Sequence, residues 1–176
     1  RAAAVRGLQK LSRVLRRVGW CASIEFRRRA KVPVLALRHA NGVEADVSWG
    51  RPAAALDAFV SSLDRKYPIA LRPLAIVLKV LLRQRGLDKP FSGGLGSFRL
   101  YVMLASWLDR QQAAGRGSAV GRDLGAALVN FLMHFGHRAR LNRETRLSAN
   151  GREVGFSGVF RCNEVATTLA AAAAAL

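Results

Sequence analysis

Acidic side chains are scarce in this sequence, and clustered metal-binding side chains are missing from it. Only 11 Asp+Glu stand against 29 Lys+Arg, which leaves the 176-residue chain with a formal net charge of +18. A field of that sign favours nucleic acid or an anionic membrane as partner. The two cysteines, Cys21 and Cys162, form no Cys-x-x-Cys pair, and the three histidines, His39, His134 and His137, add no metal-ligand spacing. Neither a zinc site nor a disulfide framework is readable, and a reducing compartment fits. No apolar run approaches the roughly 18 residues that a membrane-spanning helix needs. The alanines at 170–175 are too few and too weakly apolar to change that. An initiating methionine is also absent: the chain starts at Arg1 within an amphipathic pattern, as a cut edge would.

What is present is enough apolar material for a core, 51% of residues, with arginine making up most of the basic excess. Arginine contacts phosphate in bidentate fashion where lysine acts as a point charge. Val5, Leu8, Leu11, Leu15 and Val18 recur at helical spacing, and Gly19 is placed to stop that helix. Residues 22–29, 32–39 and 43–49 read as three strands, with Asn41-Gly42 turning the second into the third. From residue 53 the period becomes helical. Ala54, Leu56, Phe59, Val60 and Leu63 make one amphipathic helix, and a long apolar helix runs from Pro73 to Gly86. Further helices are expected through Phe98–Trp107 and over 124–136. Residues 111–122 read as a flexible polar linker, and 137–160, rich in Arg, Asn and Gly, are left unassigned.

Three features bear on chemistry. Asp46 lies between Ala45 and Val47 on a strand, where an acid is either structural or a metal-binding carboxylate held rigidly for phosphate chemistry. Lys79 interrupts an otherwise apolar helix, with Arg83 one turn later on the same face. That pair is either a triphosphate clamp or the polar face of an ordinary amphipathic helix. Residues 92–97 (SGGLGS) form a glycine-rich loop entering a helix, a weak signal for phosphate. No Gly-Lys-Ser/Thr follows, so it is not a P-loop, and Phe98 is either a base-stacking ring or core.

KVPVLAL, VEADVSW and YPIALRPLAIVLKVLLRQRGLDKPFSGGLGSFRLYVMLASWL, in this order, resemble segments of the noncanonical poly(A) polymerases. These include the nuclear TRAMP-type enzymes and the terminal uridylyltransferases, within the DNA polymerase β-like nucleotidyltransferase superfamily. LGAALVNFLMHFG resembles the next family helix, and RCNEVATTLA more loosely resembles the nucleotide-recognition motif. The resemblance implies an α/β plus α fold. Residues 1–50 would be the C-terminal part of the catalytic domain, a mixed sheet with helices, and 51–176 a mostly helical central domain, the poly(A) polymerase-associated domain.

By the same resemblance Asp46 matches the third catalytic, metal-holding aspartate. Lys79, Arg83, Gly96, Ser97 and Phe98 match positions around the nucleotide, and Asn163 and Glu164 belong to base recognition. The implied reaction is two-metal, in-line transfer of adenylate from ATP to RNA 3′ ends, with Mg²⁺ or Mn²⁺. A zinc-knuckle RNA-binding adaptor is an expected partner, no membrane is expected, and the location is nuclear or, alternatively, mitochondrial. The family's Gly-Ser motif and first two catalytic aspartates precede the helix at 5–18 and do not occur in this chain, which reads as a fragment. A uridylyltransferase, or an inactive scaffold in an RNA–protein assembly, is the competing expectation.

Overall fold

The computed structural model describes residues 1–30, 32–49 and 54–176. They form two compact units, Arg1–Ala53 and Ala54–Leu176. The boundary expected between residues 50 and 51 lies outside the described residues.

In the first unit helix α1 (Ala2–Val18) precedes strands β1 (Cys21–Arg27), β2 (Val34–His39) and β3 (Glu44–Ser48). Gly19 ends α1 in the left-handed conformation, φ 68°, and its N–H donates to the Leu15 carbonyl at 3.2 Å. The strands make an antiparallel sheet in the order β1-β2-β3. Its register pairs Phe26 with Leu35, Leu35 with Val47, and Ile24 with Leu37. Because side chains alternate across a sheet, these residues share one face. There Leu35 and Leu37 bury with Leu8 of α1, and Leu11, Leu15 and Cys21 close the margin.

The second unit packs helices around one central helix. They are α2 (Ala54–Lys66), α3 (Leu71–Gln84), α4 (Ser97–Ala113), α5 (Gly117–Arg122), α6 (Leu124–Gly136) and α7 (Cys162–Ala174). Leu71, Leu74, Ala75, Leu78 and Leu82 form the buried stripe of α3. Pro73 sits inside its first turn, where an N–H would have no helical partner. Helix α4 is buried almost all round, from Val102 to Leu108, and Trp107 meets Phe131 of α6 edge-on at 5.7 Å.

Two sequence expectations give way here. The segment read as a flexible linker is the last turn of α4 followed by α5, anchored by buried Val120. The unassigned stretch contains a hairpin of β4 (Arg146–Ala149) and β5 (Arg152–Gly155), which lies against α4, so the second unit is not purely helical. Asn150 and Gly151 both have positive φ, 47° and 73°, as the tight hairpin turn requires. The terminal alanines continue α7, whose buried Val165, Ala166 and Leu169 belong to the core.

Helices α6 and α7 approach closely at Gly136, where an added Cβ would lie 2.8 Å from the Ala170 backbone. Gly136→Ala is expected to destabilise the unit by about 1–3 kcal/mol through overpacking. Gly155→Ala, with nothing within 4 Å of the new methyl, is expected to stay within about 0.5 kcal/mol in the same urea titration.

His134 on α6 is held neutral: burial comes first, then the charges of Arg140 and Arg110, lowering its pKa to about 4. Arg140 Nη1 lies 2.5 Å from His134 Nδ1, where a neutral ring nitrogen accepts. The unfolded chain takes up this proton near pH 6.5 and the folded chain only near 4. Stability from this group is therefore full above pH 6.5 and falls as pH drops toward 4. In His134→Gln that component of the pH dependence of urea unfolding is expected to vanish.

Candidate functional site

In the first unit, the face of the sheet opposite α1 carries the charges. Glu25, Ala36 and Asp46 form one cross-strand row, and Glu44 and Arg27 lie on the same face by alternation. Asp46 is exposed. Arg27 bonds Glu25 at 2.8 Å and holds its carboxyl below the usual range. The Arg27 guanidinium is raised first by that hydrogen bond to Glu25 and further by the charges of Glu25, Asp46 and Glu44. Among the described residues no three His, Cys, Asp or Glu side chains are arranged to hold a metal ion. Asp46 thus supplies one carboxylate, and the described residues do not complete a divalent-ion centre by themselves.

In the second unit, Lys79 and Arg83 lie one turn apart on the exposed side of α3. That side is not an ordinary polar face, because Ile76 and Val80 are also exposed on it, at 61% and 50%. Past α3 the chain reverses at Gly86, φ 61°, and makes a single 3₁₀ turn at Pro90–Ser92 before α4. The glycines between have a packing cause. A Cβ on Gly94 would stand 2.3 Å from the Leu87 carbonyl oxygen, and one on Gly96 would stand 2.5 Å from Pro90 Cγ.

The loop's amides are already engaged. Gly93 donates to Pro90, Gly94 to Lys89 and Leu95 to Leu87, at 3.1, 3.0 and 2.7 Å. The loop therefore does not offer these N–H groups to phosphate. Donors are found instead in the first turn of α4, which starts at exposed Ser97 behind Gly96, a cap residue with no side chain to engage them. Phe98 is half-buried, its ring 5.5 Å from that of Phe59 on α2.

Asn163 and Glu164 stand exposed in the first turn of α7. What brings them to the loop is Arg161, a residue that sequence reasoning passed over. Its backbone N–H donates to the Gly93 carbonyl at 2.9 Å, and its Nη1 donates to the Gly86 carbonyl at 3.0 Å. Its Nε and Nη2 grip the Glu164 carboxylate at 2.9 and 2.6 Å, a bidentate pair. One arginine so ties the end of α3, the glycine loop and the start of α7. Its Arg-x-x-Glu spacing at a helix start was the available signal.

No protein-family model matches the chain. It is 30% identical over 129 residues, 72% of its length, to a poly(A) RNA polymerase of Schizosaccharomyces pombe. It is 26% identical over 140 residues to a poly(A) RNA polymerase of Cryptococcus neoformans var. neoformans. The chain spans about a fifth of each relative's length, 19% and 18%. Among solved structures, the polymerase core of TRAMP, an RNA surveillance complex, superposes with a TM-score of 0.79 at 19% identity. That match covers 97% of this chain and 63% of the other. A terminal uridylyl transferase of Trypanosoma brucei with bound GTP superposes at 0.58 and 21% identity, over 82% of this chain and 50% of the other. The fold expected from the sequence, α/β followed by a largely helical part, is the fold of these polymerase cores.

The Arg161 grip lowers the Glu164 pKa, its hydrogen bond being the largest cause. Arg161→Gln is expected to raise the Glu164 carboxyl back toward the ordinary glutamate range in a carbon-detected NMR titration.

Proposed function

We propose that this chain, a homologue of the noncanonical poly(A) polymerases with their core fold, belongs to an RNA 3′-end nucleotidyltransferase that adds adenylates from ATP. The observation that carries the reading is the Arg161 junction. It gathers into one unit the basic turn of α3, the start of α4 and the Asn163–Glu164 turn, three segments whose residue types suit a nucleotide. On this reading residues 1–50 finish the catalytic domain and 51–176 are the central domain.

Each side chain then has a chemical task. Lys79 and Arg83 neutralise the triphosphate, and the unengaged N–H groups at Ser97 and beyond receive one of its oxygens. Asn163, which both donates and accepts, reads the base edge, and Glu164 is held in place for it by Arg161. Phe98 bounds the base through its exposed edge while its packing on Phe59 fixes it. Asp46 is the carboxylate that this chain brings to Mg²⁺, whose chemistry is to offset charge on the reacting phosphate. The full set of ligands is not formed by the described residues.

The excess of positive charge, +18, suits an RNA backbone read without sequence preference. A nuclear location and a zinc-knuckle adaptor complete the proposal. No helix among the described residues is long and apolar enough to cross a membrane.

Extension of a labelled RNA primer by the full-length protein, with each nucleoside triphosphate separately, tests the proposal. Growth is expected with ATP. Asp46→Ala is expected to lower kcat by about 10²–10³-fold, the range seen when one charge-stabilising group is removed from a site. Lys79→Ala is expected to raise the KM for ATP by roughly 10-fold, the worth of one hydrogen bond to a charged group. Preference for UTP would assign a uridylyltransferase. No growth with any nucleotide, together with tight RNA binding, would assign a scaffold.

A further inference from the structure

Two aromatic rings stand out into solvent where the glycine loop meets the start of α7. Phe91, in the middle of the Pro90–Ser92 turn, is 69% exposed, and Phe160, just before Arg161, is 70% exposed. They issue from the same junction. The Phe160 Cβ lies 3.1 Å from where a Cβ would stand on Gly93, two residues after Phe91, and the Arg161 N–H donates to the Gly93 carbonyl. Neither ring is loosely mounted. Gly93, at φ 83°, closes the turn that carries Phe91, and Arg161 fixes the backbone beside Phe160.

The surroundings are cationic. The Arg143 guanidinium carbon stands 5.7 Å from the Phe160 ring centroid, and the group is steadied by two hydrogen bonds to the Ser157 carbonyl, at 3.4 and 3.3 Å. Lys89 precedes the turn, and Arg85 follows α3. Of the acids near this junction, Glu164 is paired with Arg161, while Asp88 stands beside Lys89 and Glu144 beside Arg143 in sequence. Exposed rings beside cations are the composition that unpaired nucleotides recognise. Each base offers a face to stack, and each phosphate offers a charge to the neighbouring cation. A protein partner would be drawn to the rings alone. The charge beside them, on a chain of net +18, selects a polyanion.

We propose that Phe91 and Phe160, with Arg143, form a stacking platform for unpaired bases of a single-stranded RNA, distinct from the nucleotide position next to Ser97. The inference rests on reading the chain as part of an RNA nucleotidyltransferase. It adds a means of choosing single-stranded RNA over duplex, because duplex bases are already stacked on one another.

The test is fluorescence anisotropy with the full-length protein, using a labelled 15-nucleotide single strand and a fully paired RNA duplex of the same length. Phe91→Ala and Phe160→Ala are each expected to weaken single-strand binding about 5- to 100-fold, the worth of one stacked base. Duplex affinity should stay unchanged. Phe160→Tyr, which keeps the ring, is expected to bind as the parent does. Arg143→Ala is expected to lower the slope of log affinity against log salt by about one contact, and the ring variants to leave it unaltered.

Unchanged single-strand affinity in the double ring variant would overturn the proposal, as would equal losses for single strand and duplex. A dimer that dissociates in that variant while RNA affinity holds would assign the rings to self-association. Primer extension measured in parallel separates the two readings. Ring-dependent single-strand binding without nucleotide addition overturns the polymerase alone, and nucleotide addition with ring-independent binding overturns the platform alone.

Discussion

The second unit depends on one close approach, that of the Gly94 backbone to the Leu87 carbonyl. A side chain there would have to occupy space 2.3 Å from that oxygen, inside any tolerable contact. With glycine in place the chain leaving α3 folds back on itself, and Leu95 donates to Leu87 at 2.7 Å. Leu87 and Leu95 both become buried, which pins each end of the loop to the core. With the loop so closed the Gly93 carbonyl accepts from the Arg161 N–H at 2.9 Å. That bond joins the loop to the head of α7, whose Val165, Ala166 and Leu169 pack in the core.

Arginine serves here as much to assemble the chain as to meet an outside anion. With 11 acidic residues for 29 basic ones, carboxylates are too few to pair every guanidinium group, and several guanidinium groups take backbone carbonyls, Arg161 in addition to its carboxylate partner. Arg99 donates to Gly155, Arg143 to Ser157, Arg161 to Gly86 and Arg16 to Ile24. Each of these carbonyls lies outside a helix ladder, so a guanidinium donor satisfies a group that secondary structure leaves open. A lysine has no planar fork with which to hold two such partners at once. Part of the positive charge is thereby built into the fold.

The elements legible in the sequence are those whose burial repeats. The stripe of α3 and the alternation that sends Leu35 and Leu37 to one face of the sheet are both periodic signals, and both hold. The α5 helix was not legible, because Gly117 and Gly121 lower its propensity and one buried residue, Val120, anchors it. The β4–β5 hairpin carried a readable mark in Asn150-Gly151, the same dipeptide that turns β2 into β3. Its strands are four residues each, too short for alternation to stand out among arginines. Of the candidate site residues, Asp46 in the first unit, and Lys79 and the glycine loop in the second, could be picked out by type. The engagement of the loop amides could not, since it depends on Leu87 and Lys89 coming back against residues that pattern alone does not pair.

The junction also bears on why exposed aromatics persist beside it. A largely exposed ring forgoes most of the stabilisation that burial of a phenylalanine brings, roughly 1.5–3 kcal/mol, and the core of this unit has other aromatics fully enclosed at Trp107, Phe131 and Phe135. Phe98 shows the structural alternative at the same loop: one residue past Ser97 it turns inward onto Phe59. Phe91 and Phe160 do not follow it inward and stay largely exposed. Phe160 stands outward beside Arg143. One junction so carries both the basic, donor-bearing corner that the proposed triphosphate would need and, beside it, the aromatic, cation-flanked surface that the proposed unpaired strand would need.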